Sequence, residues 1–254
     1  MILTHIGGPT LLVQTGGWSL LTDPTFDPPG RRYTFGLGTA SHKHAGPAVA
    51  VADLPPIDAV LLSHDQHADN LDDAGRAFLP RAGRVITTRA GGRRLGATGL
   101  GPWATTRLEH PDRPPIEITA TPARHGPPLS RPVVGETTGF ALRWPGQADG
   151  ALWISGDTVP YAGVRQVADR LAVGTAVLHF GAVRFPVTGP LRYTMTAAEG
   201  ARLAQHLGAH TVVPVHYDGW GHFHEGRPEI ERAFAAARVT LRWLDPGRPA
   251  TVPR

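Results

Sequence analysis

Residues 61–72 read LLSHDQHADNLD. An apolar run ends at Leu62, and His64, Asp65, His67, Asp69 and Asn70 follow within seven positions. Loops at strand ends are where α/β folds place ligand-binding side chains. Neutral imidazole and carboxylate together suit zinc, iron or manganese. Three more apolar runs end on the same residue types. IEITATPARHG puts His125 just past a strand, ALWISGDT puts Asp157 after Gly156, and TVVPVHYDGWGHFH puts His216 at a strand end. A single His at a strand end is more often structural than a ligand. Four such loops together supply enough His and Asp for two metals.

Other residues are candidates by position. His179 ends the run AVLHF and is read either as a proton donor or substrate contact at the pocket rim or as a hydrogen-bonded structural His. His222, in DGWGHFHEG, follows His216 and is assigned as a substrate contact or acid at the pocket mouth. His42 and His44 are expected in solvent, and His5, His110, His206 and His210 in structural roles. Asn70 reads first as an N-cap, with Asp72 and Asp73 in the first turn of the helix that follows.

Something must hold these loops together. Met1–His5, Thr10–Thr15 and Trp18–Thr22 are aliphatic or β-branched runs broken by Gly7-Gly8 and Gly16-Gly17, and they read as strands. Residues 23–56 read as one long loop, of a length that is often functional. Strands are then expected at Asp58–Leu62, Arg84–Thr87, Ile116–Thr121, Thr138–Trp144, Ala151–Ser155, Ala176–His179, Thr211–Val215 and Val239–Leu244. Helices are expected at Asn70–Phe78, Arg89–Leu95, Tyr161–Leu171, Ala197–Leu207 and Pro228–Ala237. Each half begins with strands and then alternates. A four-layered αβ/βα sandwich, two mixed sheets with helices outside, satisfies this α/β pattern. With no linker, repeat or low-complexity segment, residues 1–254 read as one domain.

Composition narrows the chemistry. Thirty-one Gly and 25 Pro in 254 residues argue against a helical bundle. The absence of Cys excludes disulfide scaffolds, thiol nucleophiles and thiolate metal sites. The net charge is +4, Lys43 is the only lysine, and the arginines are scattered. Scattered charge disfavours nucleic acid as partner and reads as solvated surface. No apolar run approaches the roughly 20 residues of a membrane helix, and no cationic start precedes an apolar run. A cytoplasmic protein without a membrane span is expected, and a homo-oligomer is compatible with the sequence. No G-x-S-x-G elbow or P-loop is present.

The strand–SHxxHxDN loop, then strand–PARH, strand–SGDT and strand–PVHY, resemble the metallo-β-lactamase fold, in the expected order over nearly the whole chain. Within it they are similar to the branch containing ascorbate-6-phosphate lactonase and N-acyl-phosphatidylethanolamine phospholipase D, as is LLTDPTF with Asp23-Pro24. The family's first motif is His-x-His-x-Asp-His. Here two residues separate His64 from His67, and Asn70 stands where the last His is expected. The resemblance implies that His64, His67 and His125 hold one ion, and that Asp69 and His216 hold a second with Asp157 bridging. Asn70 offers a weaker amide oxygen, and Asp65 is the alternative ligand. One or two divalent ions, zinc or manganese, are implied. So is a hydrolase in which hydroxide generated at the metal attacks an ester, lactone or phosphodiester of a small molecule, with Asp69 both ligating and orienting the nucleophile. Two alternatives remain. One is a nuclease of the same fold, for whose usual inserted domain 254 residues leave no room. The other is a non-catalytic binding protein that kept the fold, which Asn70 and the altered spacing motivate.

Overall fold

The computed structural model describes residues 1–253. Strands β1 (Ile2–Gly7), β2 (Thr10–Thr15) and β3 (Trp18–Thr22) pair antiparallel. The segment expected as one long loop contains a hairpin, β4 (Arg32–Gly36) and β5 (Thr39–His42), which forms a small sheet of its own. Next come β6 (Ala59–Leu61), α1 (Asp73–Phe78), β7 (Val85–Thr88), α2 (Arg89–Leu95) and β8 (Thr98–Leu100), and β3, β6, β7 and β8 run parallel. The second sheet starts with β9 (Thr105–His110) and β10 (Arg113–Pro122). The short α3 (Arg131–Val134) leads to β11 (Thr138–Arg143) and β12 (Ala151–Ile154), and this half is antiparallel. Helix α4 (Ala162–Arg170), β13 (Val173–His179), α5 (Ala197–Leu207), β14 (Thr211–Val215) and α6 (Arg227–Ala237) complete the sheet, with β12, β13 and β14 parallel. Strand β15 (Ala250–Thr251) returns to β1. The strand expected at Val239–Leu244 does not form. Leu241 makes only an isolated bridge to Val212, after which Pro246 and Gly247 turn the chain towards β1.

Period-2 patterning builds the layers. Leu11, Val13, Leu61, Ile118, Leu152 and Ile154 fill the space between the sheets. Their strand neighbours point the other way. Leu12, Val60 and Leu62 pack outward with Phe78 of α1, and Trp153 packs with Val164 of α4. Ala201 and Ala204 of α5 and Ile230 and Phe234 of α6 lie in that same outer layer. The parallel strands are therefore apolar on both faces, which made them legible as continuous runs. The result is the expected four-layered α/β sandwich.

Helix α1 begins one turn later than its sequence suggested. Asp72, not Asn70, is the N-cap, and its Oδ1 accepts from the Gly75 N–H at 2.8 Å. Asp72 also accepts the backbone N–H of Phe26 (2.9 Å) and Asp27 (2.7 Å) and the Lys43 ammonium (2.8 Å), so the sole lysine ties β5 to α1. Both charges are buried. Removing one partner of such a pair leaves the other desolvated. Lys43→Ala is therefore expected to cost about 3 kcal/mol in a denaturant titration. A loss below about 1 kcal/mol would place the pair among weak surface bridges.

Candidate metal centre

The functional side chains stand at strand ends that point the same way. His64, His125 and Asp157 each sit three residues past the end of β6, β10 and β12. Asp23 and His216 directly follow β3 and β14. The two sheets are stitched here: the Ser63 N–H donates to Asp23 Oδ1 (2.6 Å), and the Ser63 carbonyl accepts from Thr138 N–H (3.1 Å). Gly156 is required beside Asp157. Its φ is +59°, and a Cβ there would lie 2.4 Å from the Thr138 carbonyl oxygen. Asp23 (φ 33°) and His216 (φ 56°) hold left-handed backbone without being glycine. Such residues cost on the order of 1 kcal/mol each and persist where the surroundings over-determine them, often at functional sites.

His64, His67 and His125 form one buried group. His67 Nδ1 lies 3.1 Å from His64 Nε2 and 2.9 Å from His125 Nε2. The far side of His125 fixes its tautomer, because Nδ1–H donates to the Tyr193 carbonyl at 2.8 Å. Its Nε2 lone pair is thereby turned inward. Burial lowers the pKa of all three rings, that of His125 to about 3, so at neutral pH they are uncharged donors of electron pairs.

Asp69, Asp157 and His216 form the second group. His216 Nε2 is 3.4 Å from Asp69 Oδ2 and 3.5 Å from Asp157 Oδ2, while Nδ1–H donates to the Phe180 carbonyl. His222 Nε2 reaches Asp69 Oδ2 at 2.9 Å. Oriented to satisfy its neighbours, the Asn70 amide donates to Asp157 Oδ2 (3.2 Å) and Asp69 Oδ1 (3.3 Å). Burial alone would raise the Asp69 pKa, but His216 and His222 hold it well below the usual carboxylate range. Burial also opposes the His216 cation, yet the carboxylates of Asp157 and Asp69 push it up to about 9.

Both groups fit a cation. Among the described residues, Asp157 Oδ1 and His216 Nε2 are buried without a hydrogen-bond partner, which proteins rarely tolerate. Three converging imidazole nitrogens cannot all satisfy one another either, since a proton on His67 Nδ1 serves only one of the two nitrogens facing it. A divalent ion in each group would take up these atoms.

The other candidates fall elsewhere. Asp65 stays out of both groups: Arg94 engages its two carboxylate oxygens, with Nε at 2.7 Å from Oδ2. Asn70 neither caps a helix nor turns its oxygen to the carboxylates; it clamps them as a donor. His179 does not reach the rim. It is fully buried, with Nδ1 3.2 Å from Ser155 Oγ and Nε2 3.5 Å from Asp23 Oδ2. His222 lies under the cover, its ring stacked on Phe185 at 5.0 Å and tilted against Phe35 at 4.9 Å. Asp23 carried only a resemblance in the sequence, yet it pins Ser63 beside His64. Its pKa is raised to about 7, chiefly by burial.

The model of the beta-lactamase superfamily domain matches residues 19–217, a span that holds every residue of both groups. The chain belongs to the beta-lactamase superfamily. Within the superfamily it is similar to a UPF0173 metal-dependent hydrolase of Methanoregula boonei, 31% identical over 109 residues, 41% of this chain and 44% of the relative. The chain spans less than half the length of the curated relatives it matches. Two solved structures superpose over 99% of both chains. The isothiocyanate hydrolase from Delia radicum gut bacteria gives a TM-score of 0.82 at 21% identity. A possible metal-dependent hydrolase from Veillonella parvula DSM 2008 gives 0.81 at 18% identity. At these identities they establish the shared fold.

Two unequal metal sites are expected of this superfamily member. The all-imidazole group suits zinc, whereas the carboxylate-rich group, with Asn70 where the superfamily motif has His, should bind more weakly. Protons mark the difference. At pH 7.5 the first group's histidines are already neutral, so loading it releases none from the ligands. His216, with a pKa of about 9, is protonated and must lose that proton when its group fills. Titrating zinc into metal-free protein in weak buffer should show a tight, proton-silent event followed by a weaker one releasing about one proton. Two equally tight events, or proton release in the first, would contradict these assignments.

Proposed function

We propose that the protein is a metal-dependent hydrolase that cleaves an ester, lactone or phosphodiester bond in a small molecule. The observation that carries this reading is the pair of buried donor groups, His64/His67/His125 and Asp69/Asp157/His216, with Asp157 Oδ1 and His216 Nε2 unsatisfied. Divalent ions, zinc or manganese, would supply a Lewis acid and lower the pKa of coordinated water to about 7. The chain's own residues do the rest. Asp69, held ionised, is both a ligand and the hydrogen-bond acceptor that orients the attacking water. His222 donates from Nε2 to Asp69 Oδ2 and so fixes how that carboxylate faces the substrate. Asn70 holds the two carboxylates in register, and His179 and Asp23 position Ser63 behind His64. The phenyl rings of Phe35 and Phe185 against His222 exclude bulk water.

The proposal includes membership of the branch with ascorbate-6-phosphate lactonase, one domain over residues 1–254 and a cytoplasmic setting. No helix among the described residues is long and apolar enough to cross a membrane. The test is a panel of lactones, aryl esters and phosphodiesters offered to metal-free, zinc-loaded and manganese-loaded protein. Turnover restored by metal and lost with a chelator is expected. No turnover in any metal form would overturn the reading.

A further inference from the structure

We infer that the substrate meets the cover over the two donor groups with a neutral, small apolar group. This rests on the hydrolase reading above and adds the substrate class to it. A narrow cavity of about 40 Å³ opens onto His67, Asp69 and His125, and so onto members of both groups. Three elements wall it: Phe35 and Leu37 of the β4–β5 hairpin, Val133 and Val134 of α3, and Val183 and Phe185 of the segment after β13. Among the described lining residues Asp69 is the only Asp, Glu, Lys or Arg. A phosphodiester keeps a full negative charge; divalent ions in the donor groups would face one side of it, but no Arg or Lys lines the cavity to face the rest. Here the side chains around it would be aliphatic and aromatic, which desolvate the charge without replacing its hydration. A neutral acyl group loses nothing on entry and gains from burial of its apolar part.

The surface around the cavity says the same. The exposed large hydrophobic side chains are Ile2, Leu37, Leu129, Val133, Val187 and Leu191. All but Ile2 belong to the hairpin, to α3 with the loop before it, or to the segment after β13. Apolar side chains gathered at one mouth mark a site for apolar ligands. A larger depression of about 350 Å³ does contain Arg89, Arg124 and Arg131. It touches His125 but no member of the second group, and Arg131 is paired there with Glu136. For an ester the balanced step is RCOOR′ + H2O → RCOOH + R′OH. The water oxygen bonds to the acyl carbon, the acyl C–O bond breaks, and the departing oxygen takes a proton; no redox partner is needed.

The experiment compares p-nitrophenyl acetate, p-nitrophenyl butyrate and the anionic bis(p-nitrophenyl) phosphate on zinc-loaded and manganese-loaded protein. The kcat/KM is expected to rise about tenfold from acetate to butyrate and to exceed that for the phosphodiester about 100-fold. A second readout needs no turnover. Butyramide, a slow-reacting neutral amide, should bind the metal-loaded parent about tenfold tighter than Val133→Asp or Leu37→Asp by saturation-transfer NMR, with metal content unchanged in both variants. Equal butyramide binding by parent and variants overturns the inference. Preference for the phosphodiester overturns it too, while keeping the hydrolase reading. No turnover of these compounds or of the lactones in the panel above by metal-loaded protein overturns the hydrolase reading itself.

Discussion

Alanine at position 125 should leave a folded protein that has lost about 10³-fold in turnover, because several kcal/mol of transition-state stabilisation depend on the metal that His125 helps to hold. His125 stands three residues past β10, outside the core layers, so its loss opens no void between the sheets. What it contributes is one of three imidazole nitrogens and a hydrogen bond to the Tyr193 carbonyl. Its Nε2 lies 2.9 Å from His67 Nδ1. Metal-free stability should fall by about 1–3 kcal/mol, the cost of leaving the Tyr193 carbonyl without this partner. Zinc bound tightly should fall towards zero at the first group, because two ligands hold a metal far less well than three. Thermal melts, elemental analysis and turnover on any substrate found above check the three parts. Turnover within a factor of a few of the parent would remove His125 from the site.

Asp157→Ala should abolish the second metal while sparing the first. Asp157 contributes one of two carboxylates to its group, and its Oδ1 has no protein partner. Without it, Asp69 and His216 remain, with Asn70 holding only one carboxylate. Two carboxylates in a buried site offset the charge of a divalent ion; one leaves half of it uncompensated. Affinity at this group should fall by about 10²-fold or more, while zinc at the histidine group stays within a few-fold. The same substitution reports without metal. His216 owes its pKa of about 9 to Asp157 and Asp69 working against burial, so losing Asp157 should bring it down. An NMR titration of the imidazole reads this directly. An unchanged metal stoichiometry would show that Asp157 is no ligand, and an unchanged His216 pKa would show that the carboxylate acts elsewhere.

Three of the six ligand-bearing positions are legible as residues that end apolar runs. Their strands are buried on both faces, so Ala59–Leu61, Ala151–Ile154 and Thr211–Val215 are nearly continuous apolar stretches, and the polar residues after them stand out. His64, Asp157 and His216 stand out this way, whereas His125 follows the alternating strand Arg113–Pro122. His67 and Asp69 came with His64 because one tight loop holds all three, with the Leu71 N–H bonded back to the His67 carbonyl. The hairpin at 32–42 was not legible, because its strands are short, polar on one side and paired only with each other.

Local sequence thus determined which elements form and which loops carry donors, because hydrophobic period and turn chemistry act within a few residues. It did not determine how those donors are used. Asp65 and Asp69 are four positions apart and chemically identical. Only the fold brings Arg94 to one and His222, 153 residues away, to the other. Asn70 and Asp72 are both good caps, and Asp72 takes the role because Lys43 and the N–H groups of Phe26 and Asp27 converge on it. Asn70 is left facing two carboxylates. His179 ends a strand as His216 follows one, yet the first is sealed against Asp23 and the second is turned by a left-handed backbone towards Asp157. These assignments depend on partners tens to more than a hundred residues away. Their energies are electrostatic and short-ranged, so they exist only once packing has set the distances.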